Sequence, residues 1–497
     1  MINKQIQFFA NTLVVLIGLV SSASVMAEVN KHKRLDAIGH IVIIYAENRS
    51  FDNLYGLFPG ANGIKQAASE QYIQIDHDGK ALARLPPIWA GKKTPLIDVK
   101  LPNQPFPIDS PPVNLPINEK TRDLVHRFYQ NIEQINGGLN NRFAAISDAG
   151  GLVMGYYDGS KLPLWQWAKE YVLADNFFMG AFGGSYLNHQ WLVCACTPSD
   201  FTAPQELRAQ LDQQGRLKRK PESKLSAMQA APVFFDGAFT PDGYSVNSVQ
   251  PPFQPSGILP PQGGDLRFAG SERYHLPPQY TKTIGDTLSD KNISWAWYAG
   301  GWNKALADGK QAPDKKRSVI YSDIQGTLNF QPHHQPFNYY ARFAPGSKDR
   351  ETHLKDGEDF LQAIQNGTLP QVSFYKPTGI MNEHPGYTNV LIGEEHVAEL
   401  LDRLRHSKQW SDMVIIFTYD ENGGFWDHVP PPKGDRWGPG TRIPTIIISP
   451  FAKRGFVDHS LYDTTSIIKF ITRRYGLEKL PGVRDNAGDL INAFDFK

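Results

Sequence analysis

The chain contains 497 residues, of which 41% are hydrophobic, and its formal net charge is +1. This near-neutral balance gives no electrostatic reason to expect nucleic acid or an anionic membrane as a partner. The length allows either one large α/β domain with insertions or about three smaller domains. Two cysteines are too few for a disulfide scaffold, so the core must form without one.

Residues 1–27 are typical of a secretory signal peptide. Lys4 precedes an apolar run from Thr12 to Val20, and Ala27 ends a small-residue cleavage pattern. The apolar run is shorter than the roughly 20 residues that a spanning helix needs. We therefore expect export from a bacterial cytoplasm, to the periplasm or the exterior, and a mature catalytic domain of residues 28–497.

Short apolar runs alternate with helical patterns along the mature chain. Runs typical of buried strands cover residues 40–46, 171–178, 293–299, 370–375, 411–419 and 442–449. Residues 393–407 carry an apolar face at helical spacing, and Asp463 is a predicted N-cap of the last helix. This alternation predicts a largely parallel central sheet flanked by helices.

Two segments interrupt this alternation. Residues 82–118 contain nine prolines, and residues 231–281 are rich in proline and glycine, so neither can form long regular helices. Aromatic side chains such as Trp89 and Phe253 argue against disorder in these insertions. They form either a cap that shapes a substrate cleft or a passive excursion on the surface.

Acidic and amide side chains follow two of the predicted strands. Glu47 and Asn48 come directly after residues 40–46, and Asp420 and Glu421 come after residues 411–419. Active sites of open parallel sheets form outside the carboxyl ends of the strands. These oxygens can therefore meet at one point and hold a hard or borderline divalent cation. The alternatives are a capped turn and a solvated acidic loop.

A serine and several histidines could complete such a site. Ser185 follows two glycines and opens a predicted helix, where its hydroxyl either caps the helix or acts as a nucleophile activated by a metal. Imidazolium groups could hold phosphoryl oxygens or protonate a leaving oxygen, although a lone histidine is usually structural. The candidates are His126, His333, His334 and His384.

Two further patterns have a structural and a functional interpretation. Cys194 and Cys196 are expected to be small buried helix residues rather than a bridge, because a bridge between residues two apart is geometrically awkward. The aromatic residues at 295–298 could hold a choline head group by cation–π contact or belong to the core.

Five sequence segments together resemble the bacterial phospholipase C and acid phosphatase family of phosphoesterases, within the alkaline phosphatase-like superfamily. They occur in the same order as in that family, from about residue 38 to beyond residue 450. The segments are Glu47–Asp52, Asn188–His189 after Ser185, His333–Phe337, Asn382–Gly386 and Tyr419–Val429. One departure is that the run after Ser185 lacks the proline that many relatives carry two residues further on.

The resemblance implies an alkaline phosphatase-like α/β fold with one divalent metal ion, for which zinc is the first choice and calcium, manganese or magnesium are alternatives. The implied metal ligands are Glu47, Asn48, Ser185, Asp420 and Glu421. Ser185 would also be the nucleophile. The histidines His126, His333, His334 and His384 would line the phosphate site, with His384 as the preferred general acid.

We therefore predict a secreted or periplasmic phosphoesterase of the phospholipase C type. Its partners would be a phospholipid substrate and, transiently, a membrane surface, and the sequence does not give an oligomeric state. The alternatives are an acid phosphatase that acts on phosphomonoesters and an exported binding protein or adhesin without turnover. A sulfatase is disfavoured because Ser185 does not lie in a Cys/Ser-x-Pro-x-Arg context.

Overall fold

The computed structural model describes residues 35–91, 95–322, 324 and 326–496, so the predicted signal peptide lies outside the described residues. The strands are β1 His40–Ala46, β2 Ile88–Trp89, β3 Pro95–Ile97, β4 Phe106–Pro107, β5 Gly155–Tyr156, β6 Val172–Ala174, β7 Phe177–Phe178, β8 Trp295–Ala299, β9 Leu354–Asp356, β10 Val372–Lys376, β11 Met413–Tyr419, β12 Thr445–Ile448, β13 Phe456–Asp458 and β14 Tyr462–Asp463.

The helices connect and flank these strands. They are α1 Phe51–Tyr55, α2 Ser69–Tyr72, α3 Phe128–Ile135, α4 Phe143–Ile146, α5 Pro163–Glu170, α6 Ser185–Cys194, α7 Ile284–Asp290, α8 Trp302–Gly309, α9 Lys348–His353, α10 Gly357–Asn366, α11 Val390–Arg405 and α12 Thr464–Tyr475. Short 3₁₀ helices include Pro332–His334 and Gly379–Met381. Within the described residues, every helix is too short or too polar to cross a bilayer.

An eight-stranded sheet forms the centre of the molecule, in the order β13-β6-β12-β11-β1-β10-β8-β9. All neighbouring strands in it are parallel except β12, which runs antiparallel to β11 and β6. The central strand β1 is an isoleucine- and valine-rich run that is buried from Ile41 onward, as a strand covered on both faces should be. Helix α5 packs on β6 and β12, and α10 packs on β8 and β10. The predicted α/β fold, a largely parallel central sheet flanked by helices, is confirmed.

The predicted strands agree with the structure to within about three residues, except at residues 171–178. That run forms two strands in different sheets, because β6 joins the central sheet whereas β7 pairs with β14. Asp175 lies between them and is buried, and its carboxylate accepts a hydrogen bond from the Asn62 amide at 2.7 Å. The polar residues Asp175 and Asn176 therefore separate two strands where a single strand was predicted.

The two predicted helix patterns are confirmed. Helix α11 begins three residues earlier than predicted because the Asn389 side chain accepts a hydrogen bond from the Ile392 amide at 2.9 Å. Asp463 caps α12 as predicted, since its carboxylate accepts a hydrogen bond from the Thr465 amide at 2.7 Å. The apolar residues at helical spacing in α11, Val397, Leu400, Leu401 and Leu404, are all buried.

The two proline-rich insertions are ordered but contain little regular structure. The described part of residues 82–118 holds only the short strands β2, β3 and β4, and residues 231–281 hold isolated bridges. Trp89 and Phe253 are buried. Phe106 of the first insertion and Phe239 of the second belong to the main hydrophobic core, so aromatic side chains anchor both segments to it. The prediction that neither insertion forms long helices is confirmed.

The expectation that Cys194 and Cys196 stay unpaired is wrong. The two residues form a disulfide with a Cα–Cα distance of 5.1 Å, which is within the usual range for a bridge. Cys194 is the last residue of α6, and Ala195 after it adopts a left-handed conformation with φ of +47°. In a regular helix or strand the geometry of residues two apart does not suit a bridge, and in a helix their side chains point to nearly opposite sides. The left-handed residue between the two cysteines changes this orientation.

Candidate active site

The two acidic pairs lie side by side at the carboxyl edge of the central sheet. β1 and β11 are parallel neighbours in which Ala46 faces Tyr419, so the residues that follow each strand come together. The Asn48 amide donates a hydrogen bond to Asp420 Oδ1 at 3.2 Å. The side chains of Glu47, Asn48, Asp420 and Glu421 are all fully buried.

Ser185 joins this cluster as the first residue of α6. Its Oγ lies 3.2 Å from Asn48 Oδ1 and 3.3 Å from Glu421 Oε1. Gly184, which precedes it, passes so close to the loop at His126 that a Cβ atom would lie 2.7 Å from the His126 carbonyl oxygen. The glycine therefore allows the serine to reach the acidic cluster.

These oxygens fit a divalent cation. Oxygen ligands that share one cation lie about 3 Å apart, as the Ser185, Asn48 and Glu421 oxygens do. Burial raises the pKa of Glu421 to about 8, against the attraction of His126, and that of Asp420 to about 6, against the attraction of Lys376. Asp420 Oδ2 is buried without a hydrogen-bond partner. A bound cation would hold both carboxylates ionised and provide the missing partner.

Glu47 lies in the same cluster but already has partners of its own. Its Oε2 accepts a hydrogen bond from Asn382 Nδ2 at 2.7 Å, and its Oε1 contacts His334 Nε2 and lies 3.0 Å from Lys376 Nζ. Burial opposes ionisation, but His334 and Lys376 outweigh it and hold the pKa of Glu47 well below its usual value. The structure therefore directs the Glu47 carboxylate toward Lys376 and His334.

Lys376 is a member of the site that the sequence interpretation missed. It is the last residue of β10, it is fully buried, and its Nζ lies 3.0 Å from Glu47 Oε1 and 3.6 Å from Asp420 Oδ2. The ammonium thus bridges the two acidic pairs from the neighbouring strand. A lysine at the end of an otherwise apolar, aromatic strand, Val372–Lys376, was the available signal.

His126 and His384 form one side of the site. His126 Nε2 lies 3.6 Å from Glu421 Oε1, and its Nδ1 lies 2.6 Å from the Leu124 carbonyl oxygen. Burial opposes the charged form, but Glu421 and Asp123 outweigh it and raise the pKa of His126 to about 9. The His384 ring packs edge-on at 5.6 Å from the His126 ring, and burial lowers its pKa. The pKa values of these two histidines are therefore shifted in opposite directions.

The other two predicted histidines lie on the Glu47 side. His333 and His334 are in the 3₁₀ helix Pro332–His334, with ring centroids 4.8 Å apart. Their ring nitrogens and a Glu47 carboxylate oxygen lie within 4.8 Å of one another, a grouping that could itself hold a metal ion. Asp123, His126 and His384 form a second such grouping. All four predicted histidines thus surround the acidic cluster.

His189 and Asn188 support Ser185 from behind. His189 Nδ1 lies 2.7 Å from the Ser185 carbonyl oxygen, and its ring stacks on His334 at 5.5 Å. Asn188 Oδ1 accepts a hydrogen bond from the Ala181 amide at 2.9 Å and so fixes the loop before the serine. Their segment was part of the family resemblance, but the sequence did not give these positioning contacts.

A cavity of about 320 Å³ opens onto Ser185, and we call it the catalytic cavity. His126, His333 and His384 line it, together with Tyr387 and residues 246–248 of the second insertion. The second insertion therefore shapes the cleft, whereas the first contributes no residue to this lining.

The suggestion that the aromatic residues 295–298 hold a choline group is wrong. Trp295 and Trp297 lie in β8, between β9 and β10, and are 2% and 0% exposed. Strand β8 is covered on both faces, so its aromatic side chains pack in the core. Trp297 Nε1 donates a hydrogen bond to the His334 carbonyl oxygen at 2.7 Å, which holds the histidine loop in place.

A buried ionic network fixes the loops that carry the acidic pairs. Arg442 lies 3.1 Å from Asp52 Oδ1 and 3.0 Å from Asp427 Oδ1, and His428 Nδ1 lies 2.6 Å from Asp52 Oδ2. Ser50 Oγ donates a hydrogen bond to the Trp426 carbonyl oxygen at 2.8 Å. The loops that follow the two acidic pairs therefore bind one another. Arg442 neutralises the carboxylates of Asp52 and Asp427, which could otherwise attract a cation.

Glu383, next to His384, should make the stability of the folded protein depend on pH. Burial raises its pKa from an ordinary 4.5 to about 8, so the folded state binds one more proton than the unfolded state between these values. Stability should therefore fall as pH rises from 4.5 to 8. Glu383→Gln keeps an acceptor for the Tyr419 hydroxyl, which donates to Glu383 at 2.8 Å, and should flatten this fall.

The measurement is the thermal unfolding midpoint at pH 5 and pH 8 for the wild type and Glu383→Gln. Glu395→Gln, a change at an exposed glutamate of helix α11, is the control and should keep the wild-type dependence of the midpoint on pH. If the unfolding midpoint changed equally between pH 5 and pH 8 in all three proteins, Glu383 would not be neutral in the folded state.

The chain is similar in sequence to several known proteins. A family model described as Phosphoesterase family matches residues 38–478. Phospholipase C A of Mycobacterium tuberculosis is 26% identical over 503 residues, covering 93% of this chain and 78% of that protein. Hemolytic phospholipase C of Pseudomonas aeruginosa is 35% identical over 171 residues, covering 29% of this chain and 23% of that protein. A solved protein of the alkaline phosphatase superfamily from Vibrio parahaemolyticus overlaps with a TM-score of 0.29 at 10% identity, covering 78% of this chain and 75% of that one.

Proposed function

Because this chain belongs to the phosphoesterase family, and is thus a hydrolase of phosphoester bonds, we propose that it is a metal-dependent phospholipase C with Ser185 as its nucleophile. The family resemblance seen in the sequence motifs is confirmed by the match over residues 38–478. The observation that carries the proposal is the position of Ser185 Oγ, 3.2 Å from Asn48 Oδ1 and 3.3 Å from Glu421 Oε1, on the wall of the catalytic cavity.

The proposed cation ligands are Glu47, Asn48, Ser185, Asp420 and Glu421. One divalent cation, with zinc as the first choice, would supply Lewis acidity and lower the pKa of the serine hydroxyl. Lys376 adds a fixed positive charge between Glu47 and Asp420. The oxygen-rich donor set also accommodates calcium, manganese or magnesium.

In the proposed reaction, the Ser185 Oγ attacks the phosphorus of a phospholipid in line with the glycerol oxygen. The Ser185 hydroxyl gives up its proton to solvent as the bond from Oγ to phosphorus forms. The bond from phosphorus to the glycerol oxygen breaks, and the imidazolium form of His384 gives its proton to the departing diacylglycerol. Water then cleaves the phosphoserine: its hydroxyl stays on phosphorus in the phosphorylated head group, its hydrogen restores the Ser185 hydroxyl, and His384 takes a proton back from solvent. His126 and His333, which line the catalytic cavity, would hold the phosphoryl oxygens.

Two features support a phospholipid over a small phosphomonoester. The similar proteins from Mycobacterium tuberculosis and Pseudomonas aeruginosa are phospholipases C. The signal-peptide pattern at residues 1–27 supports export, which would bring the enzyme to extracellular or periplasmic lipid. An acid phosphatase would use the same serine and cation, so substrate assays must separate the two functions.

The test combines metal analysis with parallel assays of the purified mature protein. We expect about one divalent ion per chain, and release of diacylglycerol and phosphocholine from phosphatidylcholine. Treatment with EDTA should abolish this release, and adding back the metal should restore it. Hydrolysis of phosphomonoesters alone would replace the phospholipase C proposal with a phosphatase, and inactivity of the metal-loaded protein on both would favour a binding protein.

A further inference from the structure

A second cavity, of about 650 Å³, adjoins the catalytic cavity, and we call it the side cavity. The two cavities share three lining residues, Tyr321, Gln331 and Tyr387. Tyr387 stacks on the His384 ring at 3.8 Å, so its side chain connects the proposed general acid to the side cavity. A molecule whose phosphate reaches Ser185 could therefore extend directly into this second space.

The side cavity collects exposed apolar side chains from separate parts of the chain. Met381 follows β10 and is 36% exposed, Ile392 lies in the first turn of α11 and is 43% exposed, and Tyr321 is 42% exposed. Ile324 and Ile380 also line it. Twelve large apolar side chains are exposed among the described residues, and four of them line the side cavity: Tyr321, Ile324, Met381 and Ile392. Such clustering marks a binding surface, whereas scattered exposed apolar residues do not.

The charges of the side cavity indicate what kind of molecule it would accept. Among the described lining residues, Lys120 is the only charged side chain, and there is no carboxylate. Uncharged polar side chains, Ser322, Asn329, Gln331, Thr388 and Asn389, line the rest of the cavity. An apolar cluster beside polar groups and one lysine complements acyl chains joined through ester groups to an anionic phosphodiester.

We propose that the side cavity binds the diacylglycerol part of the phospholipid substrate, with Met381 and Ile392 contacting the acyl chains. This inference rests on the proposed phospholipase C function. It places the diacylglycerol next to His384, which is proposed to protonate the departing oxygen of the diacylglycerol. The head group would then occupy the part of the catalytic cavity away from Tyr387.

The test compares two phosphodiesters that differ only in the leaving group. Dihexanoyl phosphatidylcholine, kept below its micelle concentration, carries acyl chains, whereas p-nitrophenyl phosphorylcholine does not. In the double variant Met381→Ser and Ile392→Ser, the ratio of kcat/KM on the first substrate to that on the second should fall about tenfold, because two apolar contacts are lost. Leu225→Ser with Leu266→Ser, two exposed leucines outside both cavities, is the matched control and should keep the wild-type ratio.

Binding of the product gives a readout that does not depend on turnover. Dihexanoylglycerol should bind the wild-type protein in calorimetry and bind the Met381/Ile392 variant about tenfold more weakly. An unchanged substrate ratio together with equal binding would overturn the side cavity proposal, even with phospholipase C activity intact. If the protein bound dihexanoylglycerol but hydrolysed only phosphomonoesters, the proposed phospholipase C function would be overturned. The side cavity would then be an apolar ligand site of another function.

Discussion

Replacing Ser185 with alanine is expected to lower turnover on the order of 10⁴-fold or more while leaving the fold intact, since loss of a nucleophile removes the whole covalent route. The Ser185 hydroxyl donates to side chains of the acidic cluster, among them Asn48 and Glu421, and alanine is a good helix former at the start of α6. The measurements are kcat on phosphatidylcholine, trapping of a labelled phosphoryl-enzyme by acid quench, and circular dichroism.

Ser373→Ala is the matched control for this variant. Ser373 is a fully buried serine in β10 whose Oγ has no hydrogen-bond partner, so its removal should change neither turnover nor labelling. A Ser185→Ala protein with near-normal turnover would rule out the serine as nucleophile. Lost turnover with an unchanged phosphoryl label would place the covalent bond on another residue.

Replacing Lys376 with methionine is expected to destabilise the metal-free protein by about 3–5 kcal/mol, because it leaves the buried charges of Glu47 and Asp420 without their cation. For a chain of this size, that corresponds to a fall of roughly 3–5 °C in the unfolding midpoint. The loss should be smaller in the presence of the divalent ion, because a bound cation compensates the same carboxylates.

The measurement is thermal unfolding in EDTA and with saturating metal. Lys355→Met, in the neighbouring strand β9, is the matched control, since Lys355 Nζ only donates to the exposed Glu351 carbonyl oxygen at 2.7 Å. The control should shift the midpoint by less than about 1 °C. An unchanged midpoint of Lys376→Met in EDTA would show that the ammonium does not stabilise the acidic pairs.

The central strands were predictable because a strand that is buried on both faces appears in the sequence as a nearly continuous apolar run. The runs around β1 and β11 are continuously apolar, and the polar residues that follow them could be placed at one edge of a parallel sheet. The division of residues 171–178 had a signal in the polar residues Asp175 and Asn176, but the different sheets that the two halves join were not predictable from the sequence.

The sequence by itself determined the α/β class, the Asp463 cap of α12 and the phosphoesterase family, because these depend on local periodicity and short motifs. Only the tertiary structure showed that Lys376 bridges Glu47 and Asp420, that Cys194 bonds Cys196, and that residues 295–298 belong to the core. Each of these depends on which segments meet in space or on a single backbone reversal. Distances between segments far apart in the chain leave no pattern in a single sequence.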